Sequence, residues 1–191
     1  MEVRPTKLKG ALILKPRRVV DARGSFFEAY TERAFREAGI TTIFVQDNQS
    51  YSRYQGTIRG LHFQLPPAAQ AKLVRVIRGC IYDVAVDLRV GSPTYGEWIA
   101  ERFSAEAGEQ LYLPRGFAHG LCTLEPDTEV IYKVDNYHVP ARESGIIWND
   151  KTLNIPWPVA ADAAILSDRD KQLGTFAVFA SPFEYKHMAN A

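Results

Sequence analysis

Short apolar stretches, separated by turn residues every eight to twelve positions, dominate the chain. From residue 72 onward the pattern is β throughout. Strands are predicted over 72–78, 80–88, 97–104, 110–113, 116–124 and 128–137, with turns at Gly79, Gly91-Ser92-Pro93, Ala107-Gly108, Pro114-Arg115-Gly116 and Glu125-Pro126-Asp127. Upstream, residues 10–20 read as an early strand pair broken at Pro16, 21–25 as a turn and 26–30 as a returning strand. Thr31 caps a short helix over 32–38 that Gly39 ends. In a strand over 44–52, Gln46 and Asn48 share one side by alternation. Residues 56–72 form a strand carrying His62, then a proline turn, then the lysine that opens the next strand. The last fifty residues change character: Pro140, Pro156 and Pro158 interrupt strands, and 167–173 reads as a capped helical turn. Strands this short and this evenly spaced predict an all-β sandwich or barrel rather than βαβ units.

Composition narrows the function classes. A chain of 191 residues suits one domain, expected to span 1–191. Lysine and arginine total 23 against 22 aspartates and glutamates, a net charge of +1. That balance lacks the basic excess of nonspecific nucleic-acid binding, so no nucleic-acid partner is expected. Cys80 and Cys122 lie far apart and outside any CxxC pattern, which fits two buried apolar residues better than a disulfide or a thiolate zinc site. The first eighteen residues hold only a four-residue apolar run, so neither a signal peptide nor a membrane association is expected, and a cytoplasmic location is.

Arg59, His62 and Lys72 fall within one short stretch of a chain with only four histidines. An imidazole ordinarily titrates near pH ~6.5, which suits reversible proton transfer, whereas a lone strand histidine is more often a hydrogen-bonded core residue. Lys72 could face a barrel mouth or sit on a solvated edge. Tyr132 alternates in phase with Val130 and Val134 and is expected to point inward, where its hydroxyl needs a partner.

Two spacings resemble the paired motifs of the cupin superfamily. Gly56, five residues, then His62-Phe63-Gln64 resembles its first motif, G(x)5HxH followed by a glutamate. Gly108, five residues, Pro114-Arg115-Gly116, two residues, His119 resembles its second, G(x)5PxG(x)2H. The resemblance implies a jelly-roll barrel. Metal-binding cupins use both histidines, the glutamate and the second-motif histidine; here Gln64 replaces one and Pro66-Pro67-Ala68-Ala69 occupies the glutamate's place. With two of four ligands absent, no metal is expected.

Further motifs narrow the resemblance. Arg59 to Gln64, Lys72, Asp83 to Arg89, Ser92-Pro93-Thr94, Gly116-Phe117-Ala118-His119-Gly120, Tyr132-Lys133 and Leu166 to Asp170 are similar to those of the dTDP-4-dehydrorhamnose 3,5-epimerase family, from about Arg23 to Asp170. The resemblance implies a homodimer with a swapped N-terminal strand pair, acting on a dTDP-4-keto-6-deoxyhexose without cofactor. It implies His62 as base, Asp170 as the carboxylate orienting it, Lys72 at the enolate oxygen and Tyr132 as acid on the far ring face. Read alone, Asp170 could equally be a helix N-terminal aspartate facing the dipole. Family binding positions fall on Arg23, Phe26 and Glu28, expected to reach the nucleotide across the dimer interface, and on Gln46, Asn48, Arg59, His119 and Glu143. Two positions depart: His138 stands where the family commonly stacks a tyrosine on thymine, and Arg169 where it commonly has a lysine. Three alternatives stay open: an enzyme inverting only carbon 3 or carbon 5, a metal-dependent cupin, and a non-catalytic sugar-binding cupin.

Overall fold

The computed structural model describes residues 1–185. Alternation does what the pattern requires: successive side chains of each strand take opposite faces, and apolar ones collect on the shared interior. The strands are β1 (Glu2–Pro5), β2 (Leu12–Lys15), β3 (Val19–Asp21), β4 (Gly24–Phe26), β5 (Gln46–Ser52), β6 (Ile58–Gln64), β7 (Lys72–Arg78), β8 (Cys80–Asp87), β9 (Trp98–Ser104), β10 (Gln110–Leu113), β11 (Phe117–Thr123), β12 (Thr128–Val134) and β13 (Glu143–Gly145). One short helix, α1 (Glu32–Glu37), starts where the Thr31 side chain accepts from the Ala34 N–H. A six-stranded antiparallel sheet runs β1-β2-β10-β7-β12-β5, and a five-stranded one β13-β6-β11-β8-β9. This is an antiparallel jelly roll.

The interior core draws on both sheets. Ile13, Val74, Val76, Leu111 and Val130 from the first meet Ile81, Ala85, Phe103, Phe117 and Leu121 from the second. The outer face of the first sheet is covered by α1 and its flanks, where Phe35 and Ile40 pack on Leu14, Leu73 and Tyr112. The outer face of the second is covered by C-terminal segments through Ile146, Leu153, Ile155 and Phe183. Cys80 and Cys122 are buried free thiols. No helix among the described residues is long and apolar enough to cross a membrane.

The amino-terminal reading needs correction. Residues 10–20 do not pair with each other; β2 pairs with β1, whose Glu-Val-Arg-Pro sequence carries too little apolar signal to be seen. Strand β4 ends at Phe26 instead of beginning there, and pairs only with β3. Residues 27–30 leave the ladder because Tyr30 packs edge-on against Phe35 and Phe44, while the Ala29 carbonyl accepts from Gln110 Nε2 at 2.7 Å. Strand β5 begins at Gln46, not residue 44. Strand β12 stops at Val134, not residue 137, because Asp135 turns its carboxylate onto the Ala71 N–H at 2.7 Å and a side chain competes with the ladder.

Candidate active site

Polar side chains break into the apolar in-facing phase of the strands. Along β7 the inward positions run Val76, Val74, Lys72; along β12 they run Val130, Tyr132, Val134; along β8, Ile81 gives way to Asp83; along β11, Leu121 gives way to His119. Of these, Lys72, Tyr132 and His119 face a cavity of about 580 Å³. The first sheet supplies Asn48, Lys72 and Tyr132 to its wall, and the second Arg59, His62, His119 and Glu143. Base and acid candidates therefore stand on opposite sheets.

His62 and Asp170 are joined at 2.7 Å through Nε2 and Oδ1. Asp170 is 4% exposed and begins a single 3-10 turn, Asp170–Gln172, with its N–H donated to the Ser167 hydroxyl at 3.1 Å. Asp170 is the acidic residue in the first position of that turn, and its side chain faces His62. Burial pushes the Asp170 carboxyl up, yet the His62 contact, the Gly60 N–H and Ser167 outweigh this and hold it below its ordinary range. Gly60 sits where β6 crosses β11 so closely that a Cβ would stand 2.5 Å from Gly120 Cα, at φ +132°. That close approach puts His62 directly opposite His119.

Lys72 is buried rather than a solvated edge lysine. Its ammonium donates to the His62 carbonyl at 3.3 Å. Burial pushes its pKa down to about 8, against the pull of Asp83 and Glu143. Burial, then Glu143, pushes the Tyr132 phenol up, so it is held protonated. His119 Nε2 meets Asp83 Oδ1 at 2.7 Å, a second imidazole–carboxylate pair whose carboxylate is buried. Sequence reasoning gave Asp83 no role; the available signal was an aspartate in the inward phase of an otherwise apolar strand. Its Oδ2 has no partner in the structure.

At the mouth, Glu143 Oε2 meets Arg169 at 2.5 Å and His138 Nε2 at 3.1 Å. Arg59 lines the cavity with its guanidinium donating to Ser52 Oγ at 3.1 Å and to the Tyr51 carbonyl at 2.9 Å. Gln46 stands behind this layer: its Nε2 donates to Asn48 Oδ1 at 2.8 Å and its Oε1 accepts from the His138 N–H. Arg23, Phe26 and Glu28 do not reach the cavity of their own chain. They lie on and beside the exposed β3–β4 hairpin, where Arg23 pairs with Asp21. Gln64, at a cupin ligand position, is occupied otherwise: Nε2 donates to the Ala68 and Tyr137 carbonyls and Oε1 accepts from the Val139 N–H. Among the described residues, no three His, Cys, Asp or Glu side chains gather so as to hold a metal ion.

Residues 5–177 match the model of a protein family described as dTDP-4-dehydrorhamnose 3,5-epimerase. The chain belongs to that family. A Shigella flexneri relative bearing that name is 47% identical over 171 residues, 89% of this chain and 93% of its own. One from Pseudomonas aeruginosa is 49% identical over 167 residues, 87% and 91%. Among solved structures, the Bacillus anthracis family member with TDP and PPi bound superposes with a TM-score of 0.89 at 51% identity, covering 91% of this chain and 98% of its own. A Legionella pneumophila epimerase in complex with dTDP-4-keto-L-rhamnose gives 0.92 at 36%, covering 97% and 99%. A 3'-monoepimerase from Streptomyces bikiniensis in complex with dTDP-quinovose gives 0.83 at 34%, covering 91% and 87%.

Proposed function

We propose that this protein is a dTDP-4-dehydrorhamnose 3,5-epimerase, an isomerase that converts dTDP-4-dehydro-6-deoxy-D-glucose to dTDP-4-dehydro-L-rhamnose by cofactor-free enolisation. The observation that carries the reading is His62 on one sheet, joined to Asp170 and facing a cavity whose other wall presents Tyr132 and the Lys72 ammonium. A hydrogen beside a ketone leaves as a proton only if the charge arriving on the ketone oxygen is met. In the reading, His62 takes the proton from the carbon next to C4, and the electron pair moves into the enolate. Lys72, still mostly protonated at neutral pH with its pKa near 8, donates to the enolate oxygen. Tyr132 returns a proton from the opposite face, which inverts the carbon, and its raised pKa keeps that proton available. Asp170 orients the imidazole and balances the charge it gains.

Arg59 and Arg169 are proposed for the diphosphate, since planar guanidinium groups fork onto phosphate oxygens. His138 with Gln46 is proposed for the base, and Asn48, His119 and Glu143 for the sugar. Arg23, Phe26 and Glu28 fit a homodimer in which the β3–β4 hairpin crosses to the other subunit's nucleotide. Val19, Val20 and Phe26 support this, being 57%, 71% and 72% exposed in a single chain. A cytoplasmic location accompanies the nucleotide-sugar reading and is in keeping with two unpaired cysteines.

The relationship to a 3'-monoepimerase keeps a second reading in play, inversion at one carbon only. Incubation with dTDP-4-keto-6-deoxyglucose in deuterium oxide separates the two, because each inverted carbon takes up solvent deuterium. NMR should show label at both C3 and C5. Label at one carbon would replace the double-epimerase reading by the single one, and label at neither would overturn enolisation.

A further inference from the structure

Glu143 presents one oxygen, Oε2, to two donors from different parts of the chain, Arg169 and His138. His138 is positioned by more than that contact. Its own N–H donates to Gln46 Oε1 at 3.2 Å, while Gln64 holds the Tyr137 carbonyl and the Val139 N–H on either side. A half-exposed imidazole is thus fixed at the cavity mouth, with Nδ1 lacking any partner among the described residues. Burial pushes the Glu143 carboxyl up, but Arg169 and His138 overcome this and hold it ionised. The three side chains are therefore neutral together while the imidazole is uncharged, and singly positive once it is protonated.

We propose that His138 makes nucleotide-sugar binding proton-linked: with the base against its ring, the dianionic diphosphate on Arg59 and Arg169 draws a proton onto the imidazole, and affinity rises as pH falls from 7.5 to 5.5. This rests on the nucleotide-sugar reading above. The sign follows from charge. The diphosphate diester of a nucleotide sugar is dianionic throughout neutral pH, and Arg59 and Arg169 already line the mouth. A third cation at the mouth strengthens the attraction. The other ionisable groups facing the cavity, His62, Lys72, His119 and Asp170, lie with the dyads deeper in, against the proposed sugar. Lys72, near pH 8, acts on the alkaline side, so the window is pH 5.5–7.5, and the two deeper imidazoles are separated from His138 by substitution.

The test uses dTDP-quinovose, a 6-deoxyhexose nucleotide without the 4-ketone, which cannot turn over and whose charge is constant across the window. Titration calorimetry on the full-length protein should show affinity about five-fold tighter at pH 5.5 than at 7.5. Repeating it in buffers of different ionisation heat should show uptake of a fraction of one proton. His138→Tyr keeps a flat ring with a polar edge and should abolish both the slope and the uptake. His138→Gln should do the same. His62→Asn and His119→Asn should each retain both, which assigns the proton to the mouth and not to either dyad. Raising salt from 0.05 to 0.5 M should flatten the wild-type slope, since exposed charges are screened. A slope that survives His138→Tyr, or a wild-type affinity independent of pH, overturns the proposal while leaving the epimerase reading standing. Failure to bind dTDP-quinovose at any pH overturns both.

Discussion

Replacing Lys72 by methionine should move activity and stability in opposite directions. Methionine matches the length of the buried stem and removes the charge. On the activity side it deletes the proposed donor to the enolate oxygen, and loss of one such donor typically costs about 2.7–4 kcal/mol, a fall in kcat of about 10²–10³. On the stability side, burial has lowered the ammonium from 10.5 to about 8. At about 1.4 kcal/mol per unit, the folded state carries a cost of about 3 kcal/mol for keeping Lys72 charged at pH 7. The native chain releases this proton before the unfolded chain does. The cost is therefore complete below pH 8, shrinks as pH rises toward 10.5, and is absent above that. Methionine removes this cost, which is already net of the pull of Asp83 and Glu143, but leaves the His62 carbonyl without its donor, which returns part of the gain. A net gain of about 1–2 kcal/mol at pH 7 remains, a Tm higher by several degrees for a chain of this size. The assays are deuterium uptake at C3 and C5 for turnover, and thermal melts from pH 6 to 10. Wild-type kcat should fall as pH rises through about 8, and that arm should be missing from whatever activity the variant retains. A variant within tenfold of wild-type kcat, or one that melts lower at pH 7, would refute the reasoning.

Asp170→Asn should keep the fold and lower kcat by about 10²–10⁴, because the imidazole loses both its orientation and its counter-charge; the same deuterium assay reads it. Tyr132→Phe keeps the ring packed beside Val130 and Val134 and removes only the far-face acid. Its solvent exchange at the base side should outlast inversion, so NMR should find deuterium in recovered substrate of unchanged configuration. Gly60→Ala should cost about 1–3 kcal/mol by denaturant melt, since its Cβ would meet Gly120 Cα at 2.5 Å, and should depress kcat more than tenfold by prying β6 from β11.

How much the sequence disclosed depended on how local the determining physics was. Strand phase is local, so Tyr132 could be placed inward from neighbours two residues away, while Lys72, at a strand's first position, could face either a barrel mouth or a solvated edge. Motif spacing carried the jelly roll, because turn glycines such as Gly56 and Gly116 punctuate it at fixed offsets. Partners across the fold are not local. Asp83 could not be tied to His119, thirty-six positions on, until β8 and β11 were paired. The ends of β4 and β12 were misread because side-chain amides and carboxylates, not propensity, decide where the ladder stops. Strand β1 was invisible because its burial pattern is exposed throughout and only its pairing with β2 defines it.

The replacement of a cupin ligand by Gln64 has a structural sense beyond the loss of a donor. A histidine there would present one ring nitrogen to the interior and could not reach three backbone groups at once. The carboxamide does: it joins the loop before Lys72, through the Ala68 carbonyl, to the segment after Tyr132, through Tyr137 and Val139. Gln70 and Asn136 repeat the stitch, Gln70 Nε2 donating to the Asn136 carbonyl at 2.7 Å and Asn136 Nδ2 to the Pro67 carbonyl at 3.2 Å. Each bond is worth only about 1 kcal/mol net, but together they fix two irregular segments that the sheets alone leave free. Those segments flank the ammonium, the phenol and the mouth imidazole. A site built on proton transfer needs such groups held within fractions of an ångström, and here a position that could have served an ion serves that alignment instead.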